Sequence, residues 1–199
     1  MREPEGQMIK IQQTDALIVV DVQNDFCSGG AFPVEEGQCI VPAINRVFPL
    51  FNHVLMTRDW HPQNHCSFAD PPLFVDGSWP AHCVQNTPGA QFHGDLQIPV
   101  GTVIIDTATD PEEEGYSGFS NPELADHLRQ WGAQRIFICG LATDYCVKHT
   151  ALDGLREGFH VFLVEDACRG IDFPPGLTAQ AVEEMKQAGG RVCGSRDLQ

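Results

Sequence analysis

Short apolar runs that do not alternate with polar residues recur along this chain, and most end on or beside a residue capable of chemistry. Ala16 to Asp21 reads ALIVVD, and Val54 to Thr57, Val103 to Ile105, Ile136 to Cys139, Val161 to Val164 and Arg191 to Cys193 repeat the theme. Strands apolar on both faces belong in a sheet covered on both sides, the usual condition of a parallel sheet. Between them, helical patterns are predicted at about 37–51, 121–131, 143–157 and 175–188. The last, with Leu177, Val182, Met185 and Lys186, is the clearest amphipath. Regular strand and helix alternation with short Gly-containing links predicts an α/β fold, three-layer α/β/α with a mostly parallel, doubly wound six-stranded sheet.

At 199 residues a single domain is expected, with ample material for one core. No apolar run approaches the roughly 18 residues of a membrane span. The opening MREPEGQMIKIQQ lacks the apolar centre of a signal peptide, so a cytoplasmic protein is expected. A net charge of −15 argues against nucleic acid or an anionic membrane as partner, since both require a basic face. The eight cysteines are scattered without a CxxC pair, and seven read as small apolar filler.

Cys146 is the exception. In Cys139-Gly140-Leu141-Ala142-Thr143-Asp144-Tyr145-Cys146 an apolar strand breaks at Gly140, and Thr143 is the predicted N-cap of the helix carrying Val147, Thr150, Ala151, Gly154 and Leu155. The cysteine then falls near the third helical position. Unpaired backbone N–H groups and the positive end of the helix dipole favour thiolate there.

Ligands of a doubly wound sheet bind beyond the carboxyl ends of its strands. Asp21, the Asp59-Trp60-His61 triplet, Asp106-Thr107 and the turn before Cys146 all follow predicted strands, so they should share one edge. A carboxylate at the end of a buried strand, such as Asp21, loses solvation, which raises its pKa and suits it to accept a thiol proton. Asp25 reads as a structural turn residue. Asp59 and His61, at i and i+2, point the same way in extended chain, and His82 or His65 can complete a metal set. One carboxylate and two imidazoles suit Zn²⁺, Fe²⁺ or Mn²⁺. From about Trp60 to Val100 the periodicity lapses into a loop rich in Pro, His, Asn and Gly, with Trp60, Phe68, Phe74 and Trp79 and the histidines 61, 65, 82 and 93. A loop of that length inside a domain is usually functional or disordered, and its aromatic and histidine content favours function.

DVQNDF at 21–26, TRDWHPQNH at 57–65, DGSWPAHCVQNTPGA at 76–90, GYSGF at 115–119 and CGLATDYCV at 139–147 together resemble the nicotinamidases of the isochorismatase-like cysteine hydrolase superfamily. The motifs occur in the family's order over nearly the whole chain. The resemblance implies an amidase that converts nicotinamide to nicotinate and ammonia through a cysteine thioester, with Cys146 as nucleophile and Asp21 as general acid/base. It implies a cis peptide at Leu141-Ala142 that aims backbone N–H groups, including those of Ala142 and Cys146, at the oxyanion. Asp59, His61 and His82 match metal ligands, with His65 an alternative, and Zn²⁺ stands ahead of Fe²⁺ or Mn²⁺. Phe26, Trp79 and Tyr116 match aromatic walls of a pocket for a small carboxamide, and oligomers are common in the superfamily.

One position departs from the pattern. The family carries a catalytic lysine at the end of the third strand, where this chain reads Ile105-Asp106-Thr107-Ala108-Thr109. Thr107 can donate a hydrogen bond but brings no charge, and Lys10, Lys148 and Lys186 lie in no segment that would replace it. Loss of such a group commonly costs on the order of 10²–10⁴ in rate. Three outcomes follow: a weakened nicotinamidase, a hydrolase of another small carboxamide, or a binder of pyridine-like ligands without chemistry. The close match from His82 to Ala90 argues against isochorismate as substrate.

Overall fold

The computed structural model describes residues 8–199. Six strands form one parallel sheet: β1 (Ala16–Val20), β2 (His53–Asp59), β3 (Val103–Thr107), β4 (Arg135–Leu141), β5 (His160–Arg169) and β6 (Arg191–Cys193), in the order β3-β2-β1-β4-β5-β6. The helices are α1 (Val41–Val47), α2 (Pro122–Gln130), α3 (Lys148–Arg156) and α4 (Leu177–Gln187). Right-handed crossovers lead leftward from β1 and rightward from β4, which puts α1 on one face and α2, α3 and α4 on the other. The contact between α3 and α4 agrees with this. Leu17, Ile18, Phe137 and Ile138 on the two central strands are fully buried, as strands covered on both faces must be. No helix among the described residues is long and apolar enough to cross a membrane.

The predicted elements stand where expected, with three local corrections. The segment predicted as one helix over 37–51 is α1 with a tighter turn on each side, at Gly37–Ile40 and Phe48–Leu50. Pro42 and Pro49 donate no backbone hydrogen bond, so the ladder cannot run unbroken through them. Strand β5 extends past the predicted Val164 to Arg169: the exposed Glu165 and Asp166 interrupt the apolar signal and lie in a bulge, after which Cys168 and Arg169 pair again with Gly140 and Leu141. Asp166 turns outward to accept from the Ser195 N–H at 2.6 Å and the Ser195 hydroxyl at 2.7 Å.

The third correction concerns the nucleophile turn. Thr143 is not the N-cap. Strand β4 runs on to Leu141, the Leu141-Ala142 peptide is cis, and extended Ala142 (φ −94, ψ 146) precedes a wide turn over Thr143–Val147. The Val147 N–H bonds back five residues to the Ala142 carbonyl at 3.1 Å, so Cys146 is the fourth residue of the helical stretch and not the third.

β1 and β4 are neighbours from which the chain departs in opposite directions, which makes the gap beyond their carboxyl ends the topological switch point of the sheet. Val20 pairs with Gly140 there. The connection from β2 to β3 contains no helix. It is the long loop, laid over the same sheet edge and tied down by isolated bridges pairing His61 with Val84 and Phe68 with Trp79, while a third pairs Gln23 with Phe92.

Candidate active site

Asp21 and Cys146 flank the switch point. Both are buried, and the Cys146 sulfur lies within 4.8 Å of an Asp21 carboxylate oxygen. The Thr57 hydroxyl, from β2, donates to Asp21 Oδ1 at 2.7 Å. Burial pushes the Asp21 carboxyl up to about 6, opposed by the bonds from Thr57, Cys146 and the Asp59 backbone. The direction is the one the strand-end position predicts.

The thiol does not follow its prediction. Burial first, then the neighbouring Asp59 and Asp21 carboxylates, push the Cys146 thiol well above the ordinary thiol range. Desolvation in an acidic surrounding outweighs the helix terminus. At neutral pH the proton therefore rests on sulfur and Asp21 is the more acidic partner.

Asp59, the last residue of β2, and His61 and His82 from the long loop bring a carboxylate oxygen and two ring nitrogens within 4.8 Å of one another, all buried. The His61 Nδ1–H donates to the His82 carbonyl at 3.1 Å, and the His82 Nδ1–H donates to the Pro80 carbonyl at 2.7 Å. These bonds assign the tautomers and leave both Nε2 atoms as acceptors. Burial lowers both imidazole pKa values, that of His82 to about 4, so both rings are neutral at pH 7. Gln23 pairs with the Asp59 backbone in both directions, at 2.8 Å to its carbonyl and 2.9 Å from its N–H. A neutral, oriented two-imidazole and carboxylate set fits a divalent metal ion. His65 is not part of it. Its Nδ1 meets the Ser67 hydroxyl at 2.7 Å and its Nε2 the Glu113 carbonyl at 2.9 Å, which ties two loop segments together.

Asp59 also belongs to a second trio. One oxygen each of Asp21 and Asp59 and the Cys146 sulfur lie within 4.8 Å of one another. Thr107, registered opposite Asp59 at the end of β3, turns its hydroxyl toward Asp59 Oδ1 at 3.3 Å and the Arg58 carbonyl at 3.4 Å. Lys148 pairs with Glu184 at 3.5 Å and Lys186 with Glu183 at 2.8 Å, and neither lines the cavity.

A cavity of about 410 Å³ opens above Cys146. The predicted walls Phe26, Trp79 and Tyr116 all line it, as do Asp59, His61 and His82. Phe32, Glu114, Tyr145 and Ile171 line it as well, and none of these was singled out from the sequence. Tyr145 adjoins the cysteine in its motif and could have been found. Phe32, stacked on Trp79 at 5.3 Å, and Ile171 carry no local signal. Ile171 is placed by Asp144, whose carboxylate accepts from the Ile171 and Asp172 N–H groups at 2.9 and 2.7 Å. Asp25 has the structural role read for it, accepting from the Ala31 and Cys83 N–H groups at 3.0 and 2.8 Å. His93 lies elsewhere, in a groove beside α1.

A parallel sheet whose switch point carries a buried thiol and carboxylate, beside a candidate metal cluster and under an aromatic cavity, is the arrangement of an α/β hydrolase. Residues 15–197 match the isochorismatase domain, and the chain belongs to that family. Within it the similarity is to nicotinamidases. The chain is 40% identical to the nicotinamidase of Escherichia coli (strain K12) over 195 residues, covering 87% of this chain and 92% of the relative. It is similar to the crystal structure of the pyrazinamidase of Pyrococcus horikoshii in complex with zinc, with 47% identity, a TM-score of 0.81 and coverage of 91% and 99% of the two chains. It is similar also to PnC1 from L. infantum in complex with nicotinate, with 35% identity, a TM-score of 0.88 and coverage of 96% and 98%.

Proposed function

We propose that this protein hydrolyses nicotinamide to nicotinate and ammonia. The observation that carries the reading is the buried Cys146 thiol set within 4.8 Å of an Asp21 carboxylate oxygen, at the floor of an aromatic cavity. Similarity to nicotinamidases supports the substrate.

Asp21 takes the thiol proton as sulfur attacks the amide carbon, and the carbonyl becomes an oxyanion. The backbone N–H groups of Ala142 and Cys146 are its donors in this reading. Asp21 returns the proton to the amide nitrogen, the C–N bond breaks and ammonia leaves, with a thioester on Cys146. Water, giving its proton to Asp21, attacks the thioester. The C–S bond breaks, nicotinate departs and the thiol is restored. Phe26, Trp79 and Tyr116 hold the ring by stacking and edge contacts.

Asp59, His61 and His82 would hold a divalent ion, Zn²⁺ by similarity to the pyrazinamidase solved with zinc. When bound, it would supply positive charge and a Lewis-acid position for the pyridine nitrogen. With Thr107 in place of a lysine, no ammonium assists thiolate formation, and turnover is expected to be slow. The raised Cys146 pKa keeps a second reading in view, in which the cavity binds pyridine-type ligands without turnover.

Ammonia release from nicotinamide by the metal-loaded protein, with a nicotinoyl adduct on Cys146 by mass spectrometry, is the expected result. Neither signal, in the native chain or in Thr107→Lys, would defeat the amidase reading. Ligand-dependent thermal stabilisation in both forms without ammonia would install the binder in its place.

A further inference from the structure

The cavity's charged lining is of one sign. Among its residues Asp59 and Glu114 carry carboxylates, and no lysine or arginine contributes. Glu114 has no role in the chemistry above, yet it is held in place. The Trp79 Nε1–H donates to the Tyr116 oxygen at 2.8 Å, and a Glu114 carboxylate oxygen lies 3.3 Å from where a Cβ would stand on Gly77, which sets it against the turn that carries Asp76. The next residue back, Glu113, is fixed by the His65 bond at 2.9 Å. Asp76, exposed on the facing turn, adds a second negative charge felt by Glu114 and by the cavity residue Tyr145.

We propose that Glu114, backed by Asp76, discriminates the neutral carboxamide from its carboxylate product, repelling the anion so that it leaves. The inference rests on the amidase reading and extends it to specificity. Amide and acid share ring, size and shape, so aromatic walls cannot tell them apart; net charge can. Glu114 lines the cavity, so an anion bound there lies within about one Debye length of its carboxylate, inside the range of like-charge repulsion. The site gains from such a group, because a metal-bearing pocket would otherwise hold the carboxylate more firmly than the amide.

The test is calorimetric titration of the metal-loaded protein and its Glu114→Gln and Asp76→Asn variants with nicotinate and with 3-acetylpyridine, a neutral ligand of similar shape. Glutamine keeps the size and shape of the side chain and removes the charge. Expected for Glu114→Gln is a nicotinate Kd lower by about 3- to 10-fold relative to that of the ketone, with the difference shrinking in high salt. Asp76→Asn, at an exposed position, should shift the ratio the same way by less. An unchanged ratio in both variants overturns the proposal, as does an equal shift for both ligands. Expected ratios without ammonia release would remove the amidase reading alone. Ammonia release with unshifted ratios would remove the charge discrimination alone, and failure of both ligands to bind any form would remove both.

Discussion

The Thr57 hydroxyl donates a 2.7 Å hydrogen bond to the Asp21 carboxylate, and both side chains are buried. In a site without a lysine this bond is the second-largest influence on Asp21 after burial, and it acts against burial. Thr57→Val should lower kcat/KM by about 10- to 100-fold, the worth of a buried bond to a charged group, while Thr57→Ser should retain most activity. The carboxylate must be ionised to accept the thiol proton, so activity falls as pH drops through about 6. Losing Thr57 moves that acid limb to higher pH, as a pH–rate profile would record.

Asp21 also links stability to pH. Its folded-state pKa is raised from 3.8 to about 6, so its favourable contribution is complete below 3.8 and is lost as pH rises through about 6. A shift of that size is worth about 3 kcal/mol for a fully buried group. Asp21→Asn should therefore be the more stable protein at pH 7, by roughly 6–12 °C in Tm, and show little difference at pH 4. It should also lose turnover. Calorimetric melts at the two pH values decide it.

Thr107→Lys would bring an ammonium toward Asp59, Asp21 and Cys146. The thiol is held high by burial and by these carboxylates, so a cation among them should lower its pKa. Iodoacetamide labelling of Cys146 at pH 7 should accelerate at least about tenfold, and ammonia release should rise with it.

His82→Ala should abolish binding of one equivalent of divalent metal, whereas His65→Ala should leave stoichiometry intact, because both ring nitrogens of His65 are engaged within the loops. Metal analysis after dialysis separates the two. Chelation should depress Tm in the native chain and in His65→Ala, and leave His82→Ala unmoved.

Gly140→Ala should be severely destabilising. Gly140 adopts φ +121, and a Cβ there would meet the Val20 carbonyl oxygen at 2.0 Å. Backbone must move between the two strands that carry Asp21 and Cys146, at a cost of at least about 3 kcal/mol, read as a fall in Tm.

Much of this was legible in the chain. The continuous apolar runs of β1 and β4 require burial on both faces, and that requirement alone implies a covered parallel sheet. Once the sheet is parallel, residues just past strand ends share an edge, which is why Asp21, Asp59, Thr107 and Cys146 could be grouped in advance. The family motifs then marked Phe26, Trp79, Tyr116, His61 and His82, all of which line the cavity. Thr57 and Gln23 escaped notice because each acts through a partner distant in sequence, and Glu114 because only the folded loop brings it to the cavity.

The sequence by itself determined the architecture and the inventory of reactive groups, because strand burial and motif order are local properties that survive without coordinates. Tertiary structure decided their electrostatic state. Whether the cysteine is a thiolate depends on a contest between helix terminus, neighbouring carboxylates and lost solvent, and each of those depends on distances that packing sets. In this fold burial and the two aspartates prevail, and the thiol keeps its proton beside the carboxylate placed to take it.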